Sequence, residues 1–115
     1  MTRFNRELRW VGVELLTLAV HVLQSSTGKT VNGKPESDEV VISNRCICSQ
    51  SSLKLSCPGF NTVEAVDSKL FRTDGGDLCA VNDNQPVYKD QSIEFKYAWD
   101  SRCALSPSAS KVNCS

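Results

Sequence analysis

Short apolar stretches alternate with turn-forming residues along most of the chain. The apolar stretches are Val40-Val41-Ile42, Leu53 with Leu55 around Lys54, and Val63 with Val66. The turn signals are Pro58-Gly59, Asp74-Gly75-Gly76-Asp77 and the loop-like run Val81-Asn82-Asp83-Asn84-Gln85-Pro86. Apolar runs of this length, bounded by such turns, are typical of strands. We therefore expect several short strands joined by tight turns.

Residues 93–99 allow two interpretations. Ile93, Phe95, Tyr97 and Trp99 alternate with polar or small residues, and a period of two predicts a half-buried strand. A helix competes, because Asp90 could cap it and because Ile93 and Tyr97 would share one helical face. The pattern alone leaves both open.

Two polar segments border the predicted domain. Residues from Ser25 to Asp38 are polar, contain Gly and Pro, and lack apolar periodicity. We therefore expect a flexible leader over residues 29–38 and a folded domain over residues 39–115. The tail from Ser106 to Ser115 is rich in Ser and contains Pro107, so an irregular segment is predicted there, tied down if Cys114 is bridged.

The N-terminal segment resembles an export signal. It has a basic start, a mostly apolar stretch from Trp10 to Leu23, and small residues for cleavage near Gly28. Residues 1–28 are therefore predicted to be a signal peptide, and the protein to be secreted. Glu14 and His21 interrupt the apolar stretch, which falls short of the roughly 20 apolar residues that a membrane-spanning helix needs. The alternative is an N-terminal amphipathic helix on a cytosolic protein.

All six cysteines follow this segment, and an even number in a short exported chain predicts a framework of disulfides. They are Cys46, Cys48, Cys57, Cys79, Cys103 and Cys114. Their spacing does not choose among the possible pairings. With the strand pattern, they predict a small disulfide-rich β or α+β fold with short strands.

Charge and composition exclude several classes of function. Residues 29–115 are nearly neutral, with both signs interspersed and no basic stripe, so we expect no nucleic-acid partner. His21 is the only histidine and lies in the predicted signal, which leaves the mature chain without an imidazole for general base catalysis. No pairing of nucleophile and base is visible. We therefore expect a binding protein with no cofactor, and not an enzyme.

Three weaker motifs have simpler explanations. Asp74 and Asp77 flank two glycines and are better explained as turn residues than as an acid/base pair. Calcium binding by Asp74, Asp77 and Asp83 is not expected, because they do not fit the twelve-residue loop of a calcium-binding hand. Cys46 and Cys48 are separated by one residue, closer than paired zinc ligands usually are, so bridges are preferred to a metal site. Asn113-Cys114-Ser115 matches the N-glycosylation pattern, and we expect it to stay unmodified beside a bridged cysteine at the C-terminus.

The segment from Cys46 to Cys79 resembles the first half of the sea-urchin-egg-lectin (SUEL) type domain, a family of galactose- and rhamnose-binding lectins. The resemblance depends on the cysteine spacing, on Leu53-Lys54-Leu55-Ser56-Cys57-Pro58, and on Phe71-Arg72-Thr73-Asp74-Gly75 before Cys79. It implies an antiparallel β structure with one helix near residues 90–102. It also implies bridges from Cys48 to Cys79 and from Cys57 to Cys114, which leaves Cys46 and Cys103 to pair.

The same resemblance suggests where a ligand would bind. The family's sugar-binding Tyr-Gly-Arg stands here as Leu70-Phe71-Arg72, so only the arginine is kept. The implied ligand-binding residues are Phe71, Arg72, Thr73 and Asp74. Arg72 could donate paired hydrogen bonds to hydroxyls or a carboxylate, or could be a surface charge paired with Asp74 or Asp77. Phe71 is more simply a core residue than an exposed stacking surface.

Three functions remain open at this point. The first is a secreted carbohydrate-binding domain that recognises a cell-surface or secreted glycan. The second is an adhesion or receptor-interaction module that binds a protein or glycoprotein partner, which the altered sugar motif favours. The third is a secreted effector or inhibitor with an unrelated disulfide fold.

Overall fold

The computed structural model describes residues 20–113, which form a small domain of seven antiparallel strands. The strands are β1 Val20–Ser26, β2 Glu36–Asn44, β3 Ser49–Ser56, β4 Phe71–Thr73, β5 Leu78–Val81, β6 Ser92–Trp99 and β7 Ser106–Asn113. One short 3₁₀ turn, Asn82–Asn84, follows β5. Within the described residues there is no α-helix, and so none that is long and apolar enough to cross a membrane.

The strands form two sheets that share one core. The first sheet has the order β1-β2-β6, and the second has the order β4-β5-β3-β7. Phe71 of β4 stacks on Phe95 of β6 with ring centroids 4.5 Å apart, and Phe60 lies edge-on to both Phe71 and Tyr97. These aromatic contacts join the β4 edge of one sheet to the β6 edge of the other.

β6 settles the choice between strand and helix at residues 93–99. Ile93, Phe95 and Tyr97 are buried in the core, whereas Glu94 and Lys96 are exposed, as a strand with one buried face requires. The helix near residues 90–102 is wrong. An alternating segment places its apolar side chains on one face only if it is extended, so the period of two outweighs the possible cap at Asp90.

β7 is a second difference from the sequence prediction, which expected an irregular tail. Ser106–Asn113 pairs with β3 over most of its length, although only two or three of its residues are apolar and most are exposed. The sequence also predicts a strand at Val63 and Val66, but the structure places both residues in the loop between β3 and β4. Val66 nevertheless packs against the core.

β1 lies within the segment predicted as the signal, and β2 begins within the segment predicted as the leader. β1 occupies Val20–Ser26, and β2 begins at Glu36, before the predicted domain start at Glu39. Between them, Asn32 and Gly33 have φ values of 48° and 81° and form a tight turn closed by Val31 and Lys34. Positive φ at both central residues is what a two-residue hairpin turn requires, and Asn-Gly is the preferred pair. The rest of the predicted signal, residues 1–19, lies outside the described residues.

The cysteine pairing differs from the one implied by the lectin resemblance. Cys57 bonds to Cys79, which joins the end of β3 to β5 with a Cα–Cα distance of 6.0 Å. The pairings Cys48 with Cys79 and Cys57 with Cys114 are therefore wrong. Cys48 is disulfide-bonded as well, whereas Cys46 and Cys103 are free. Cys114 lies outside the described residues.

Candidate functional site

The four predicted ligand-binding residues lie on β4 and at its exit. Phe71 is 2% exposed and belongs to the core, so its side chain is not available for stacking on a ligand. Arg72 is half-buried, and Thr73 and Asp74 are exposed. The turn after them, with Gly75 and Gly76 at φ values of 85° and 57°, connects β4 to β5 as expected.

Arg72 is paired, but with a different carboxylate from the two expected. Its Nη1 donates to Asp83 Oδ1 at 2.7 Å and to the Ser68 carbonyl at 3.2 Å. Asp83 follows β5, the strand that pairs with β4, and the turn at Asn82–Asn84 brings it beside Arg72. The guanidinium therefore links β4 to the turn after β5.

Asp74 forms an ion pair with Lys54. Lys54 Nζ on β3 donates to Asp74 Oδ2 and, at 2.8 Å, to Asn84 Oδ1. The hydrogen bond and the charge of Lys54, with a smaller contribution from Arg72, hold the pKa of Asp74 below its ordinary value. Both charged residues of the predicted site are thus committed to contacts within the protein.

A groove lies beside this turn, and sequence reasoning missed it. The loop of residues 60–68 forms one wall, and Phe71, Arg72 and Thr73 of β4 form the other. The cavity volume is about 390 Å³. The loop is fixed to β6, because Val63 N–H donates to the Ala98 carbonyl and Ala98 N–H donates to Thr62 Oγ1. We call this feature the edge groove.

The edge groove runs along an outer strand of the second sheet. Asn82 N–H donates to the Leu70 carbonyl, and Asp74 N–H donates to the Leu78 carbonyl. Backbone groups of an antiparallel strand alternate in direction, so those of Arg72 also point toward β5, while those of Thr73 point away from it. The Phe71 N–H, on the same outer side as Thr73, is already donated to the Asp67 carbonyl. Thr73 therefore presents its N–H and C=O at the open edge.

A second cluster of polar groups is buried between β1, β2 and β6. Asp38 is fully buried and receives two hydrogen bonds from Arg102, of which the shorter, from Nε, is 2.6 Å. Burial tends to raise the pKa of Asp38, but its hydrogen bonds with Arg102 and Glu36 outweigh burial, so the pKa lies below the ordinary value. Burial also raises the pKa of Tyr97, whose hydroxyl donates to Gln24. These contacts join β1, β2, β6 and the segment after β6.

The described residues offer no metal centre. Among residues 20–113, no group of three or more His, Cys, Asp or Glu side chains is arranged to hold an ion. The hydroxyl of Ser49 donates weakly to the carbonyl of Asn113, at the end of β7. The glycosylation pattern that begins at Asn113 continues beyond the described residues and stays a prediction.

Comparison with known proteins identifies relatives. The family model described as "Tapetum determinant 1, C-terminal" matches residues 17–115. The "TPD1 protein homolog 1" of Arabidopsis thaliana is 38% identical over 79 residues, which cover 67% of this chain and 44% of that protein. The "TPD1 protein homolog 1A" of Oryza sativa subsp. japonica is 30% identical over 66 residues, or 50% of this chain and 29% of that protein. The chain thus spans less than half the length of these curated relatives. No solved structure matches.

The family match overturns the resemblance to SUEL-type lectins. The motif behind that resemblance, two alternating leucines before Cys57 and Pro58, describes a half-buried strand that enters a disulfide. Unrelated disulfide-stapled β domains share such a pattern, because the strand and the bridge impose it. The observed Cys57–Cys79 bridge also differs from the pairing that the lectin family implied.

Proposed function

Because this chain belongs to the Tapetum determinant 1 C-terminal family, we propose that it is a secreted, non-catalytic module that binds a protein partner, with a cell-surface receptor ectodomain as the class of partner. The observation that carries the proposal is the edge groove, an open cleft beside the outer edge of β4, where Thr73 presents its backbone N–H and C=O. Clefts of this kind bind extended segments of other proteins by adding a strand to the sheet.

The groove suits a polypeptide better than a sugar. Thr73 offers a backbone donor and acceptor at the edge, and the opposite wall carries apolar side chains such as Val63 and Val66. A monosaccharide site needs a few convergent polar side chains. Arg72 is held by Asp83 and Asp74 by Lys54, so a sugar would have to displace existing ion pairs.

Two features support secretion. Disulfides persist in oxidising compartments, and this domain has a bridge between Cys57 and Cys79. The basic and then apolar N-terminal segment has the composition of an export signal.

The direct test is a binding screen of the full chain, purified from the medium of secreting cells, against receptor ectodomains of Arabidopsis and rice. A glycan array is run in parallel with the same preparation. We expect saturable binding to an ectodomain and no saturable binding to any glycan. Saturable binding to a glycan alone would overturn the proposal.

Two variants at one position test the groove. Thr73→Pro removes the outward N–H, and proline is tolerated on an edge strand when its nitrogen faces away from the sheet. Thr73→Val is the matched control, because it keeps the N–H and nearly the same shape. We expect Thr73→Pro to weaken ectodomain binding by about tenfold, equivalent to ~1.4 kcal/mol, and Thr73→Val to leave it unchanged. Equal affinities would exclude strand addition at β4.

A further inference from the structure

Two exposed apolar side chains lie at the end of the first sheet where β2 ends and β6 begins. Ile47 is 81% exposed and Tyr88 is 59% exposed. Ile47 lies in the loop between β2 and β3, and Tyr88 lies in the segment that leads into β6. We call these two residues, together with Arg45 and Lys89, the end patch. Arg45 and Lys89 are also exposed.

Asn44 holds the two loops of the end patch side by side. Its Nδ2 donates to the carbonyls of Cys48 at 2.9 Å and Val87 at 2.7 Å, which are the neighbours of Ile47 and Tyr88 in sequence. The Asn44 carbonyl also accepts a hydrogen bond from the N–H of Asp90 at 2.7 Å. The two apolar residues are therefore carried on adjacent backbones that a buried side chain fixes in place.

The rigidity of the end patch favours binding. Removing an Ile or aromatic side chain from water gains ~1.5–3 kcal/mol. A flexible loop loses part of that gain when it becomes ordered, whereas a loop already fixed does not. Tyrosine in such a position is among the residues that contribute most to protein interfaces. Ile47 and Tyr88 thus have the exposure and the support expected of interface anchors.

The charges beside the anchors indicate what the partner presents. Lys89 pairs with Asp90 at 2.7 Å. The Asp90 N–H donates to the Asn44 carbonyl, so Arg45, the next residue, lies near the same loop. The hydrogen bond and the charge of Lys89, with a smaller contribution from Arg45, lower the pKa of Asp90. Within residues 20–113, Arg45 forms no ion pair at all. An exposed guanidinium that forms no short ion pair within residues 20–113, next to two apolar anchors, complements a surface with an apolar pocket and a carboxylate at its rim.

We propose that the end patch is a docking surface for a protein segment that covers Ile47 and Tyr88 with apolar side chains and pairs a carboxylate with Arg45. The proposal rests on the function proposed above, binding of a protein partner, and assigns it a second contact surface. The edge groove and the end patch lie toward opposite ends of β6: the groove adjoins β4 and Ala98 near the end of β6, and the patch lies where β2 ends at Asn44 and before β6 begins.

The test uses a phage-displayed library of random peptides selected on the full chain. Enriched peptides are synthesised and measured against Thr73→Pro and against four further variants. Ile47→Ser combined with Tyr88→Ser removes the anchors, and Arg45→Glu reverses the charge. Leu23→Ser, at another exposed apolar residue, and Lys29→Glu, with the same charge change at the other end of β2, are the matched controls. Thermal unfolding of each variant verifies that the fold is kept.

We expect enriched peptides with a large apolar residue near Asp or Glu. Their affinity should fall by about tenfold or more in the anchor variant and in Arg45→Glu, and stay within about twofold in both controls. A library without a peptide that depends on the end patch would overturn this assignment. Peptides that lose affinity only in Thr73→Pro would overturn the end patch and support the edge groove. The two proposals can therefore be contradicted independently.

Two other occupants are tested with the same variants. Concentration-dependent dimerisation in analytical ultracentrifugation that the anchor variant abolishes would assign the patch to a second copy of the chain. Flotation with vesicles of phosphatidylserine and phosphatidylcholine that Arg45→Glu abolishes would assign it to a lipid surface. Either result overturns the docking of a protein segment.

Discussion

Asn44 is buried, and its side-chain amide uses its full hydrogen-bonding capacity. Nδ2 donates to two carbonyls, and Oδ1 accepts from the Cys46 N–H at 2.9 Å and from Gln50 Nε2 at 3.1 Å. Buried polar groups of this kind stabilise a fold only when every partner is present, because each group left unpaired loses its hydration without compensation. One amide thus connects the loop that follows it to a loop whose contact residue is 43 positions away along the chain.

Truncation of this amide is expected to destabilise the domain. Asn44→Ala removes the hydrogen bonds to the Cys48 and Val87 carbonyls and those from the Cys46 N–H and Gln50 Nε2, although the Val87 carbonyl still accepts from the Gln50 N–H. Each buried group left unpaired costs ~1–3 kcal/mol. We expect the free energy of unfolding to fall by ~2–3 kcal/mol in urea titrations, with an unchanged slope. Ser43→Ala, on the neighbouring and more exposed position of β2, is the control and should change it by less than ~0.5 kcal/mol. Equal losses of unfolding free energy in the two variants would show that the hydrogen bonds of Asn44 do not stabilise the two loops.

Single residues differ in how far the sequence predicts their role. The burial of Phe71 follows from its hydrophobicity, and the structure places it in the core. The partner of Arg72 does not follow from sequence distance, because Asp74 and Asp77 are closer along the chain than Asp83. Ion pairs depend on which loop folds back onto the strand, and that geometry involves β5 and its turn. The hydrogen bonds of Asn44 also cannot be predicted from a local pattern, because one of them goes to the carbonyl of Val87.

At the level of elements, alternation predicts a strand only where one face is buried. β6 shows it clearly, since its apolar residues recur at every second position and line the core. β7 does not, because most of its residues are exposed and its place in the sheet depends on backbone hydrogen bonds to β3, about fifty residues earlier. The period of two therefore predicts β6 and cannot predict β7.

The ion pair of Asp38 with Arg102 joins β2 to the segment after β6 and should make stability depend on pH. The pKa of Asp38 is lowered in the folded protein, so its contribution is present above the ordinary pKa near 4 and is lost as the pH falls below it. Glu36 opposes this in part, because its hydrogen bond with Asp38 raises its own pKa. The stability of the fold should therefore decrease as the pH falls, because Asp38 is buried and contributes more than the half-buried Glu36.

Arg102→Met isolates this contribution. It removes the cation and keeps much of the aliphatic stem, leaving Asp38 charged and buried. We expect a loss of stability at pH 7 that is smaller than the ~3–5 kcal/mol of a fully buried pair, because Arg102 is partly exposed. The difference from the unmodified protein should shrink as the pH falls from 5 to 3, when Asp38 becomes protonated. Lys34→Met, at the solvent-exposed pair with Asp100, is the control, and a difference for Arg102→Met that is constant across this range would contradict the assignment.

At the scale of the whole molecule, the two free cysteines lie far apart. Cys46 follows Asn44 at one end of β2, and the Cys103 N–H donates to the Tyr97 hydroxyl beside Asp38, toward the other end. Asn44 and Asp38 are six positions apart on one strand, or roughly 20 Å. A disulfide requires Cα atoms within roughly 7 Å. The even number of cysteines correctly predicted bridges, but it could not show that this pair would be separated by the length of the sheet.

The place of β1 in the fold predicts where a signal sequence can be removed. Val20 is 3% exposed in the core, every residue of β1 pairs with β2, and Gln24 donates to the Cys103 carbonyl at 3.1 Å. Cleavage near Gly28 would remove all of these contacts and expose the β2 edge. We therefore expect N-terminal sequencing of the secreted protein to find its first residue at or before Val20. A chain that starts at Val20 should unfold in one cooperative transition, whereas a chain that starts at Lys29 should show no cooperative transition. A secreted, folded protein beginning at Lys29 would mean that the core forms without β1.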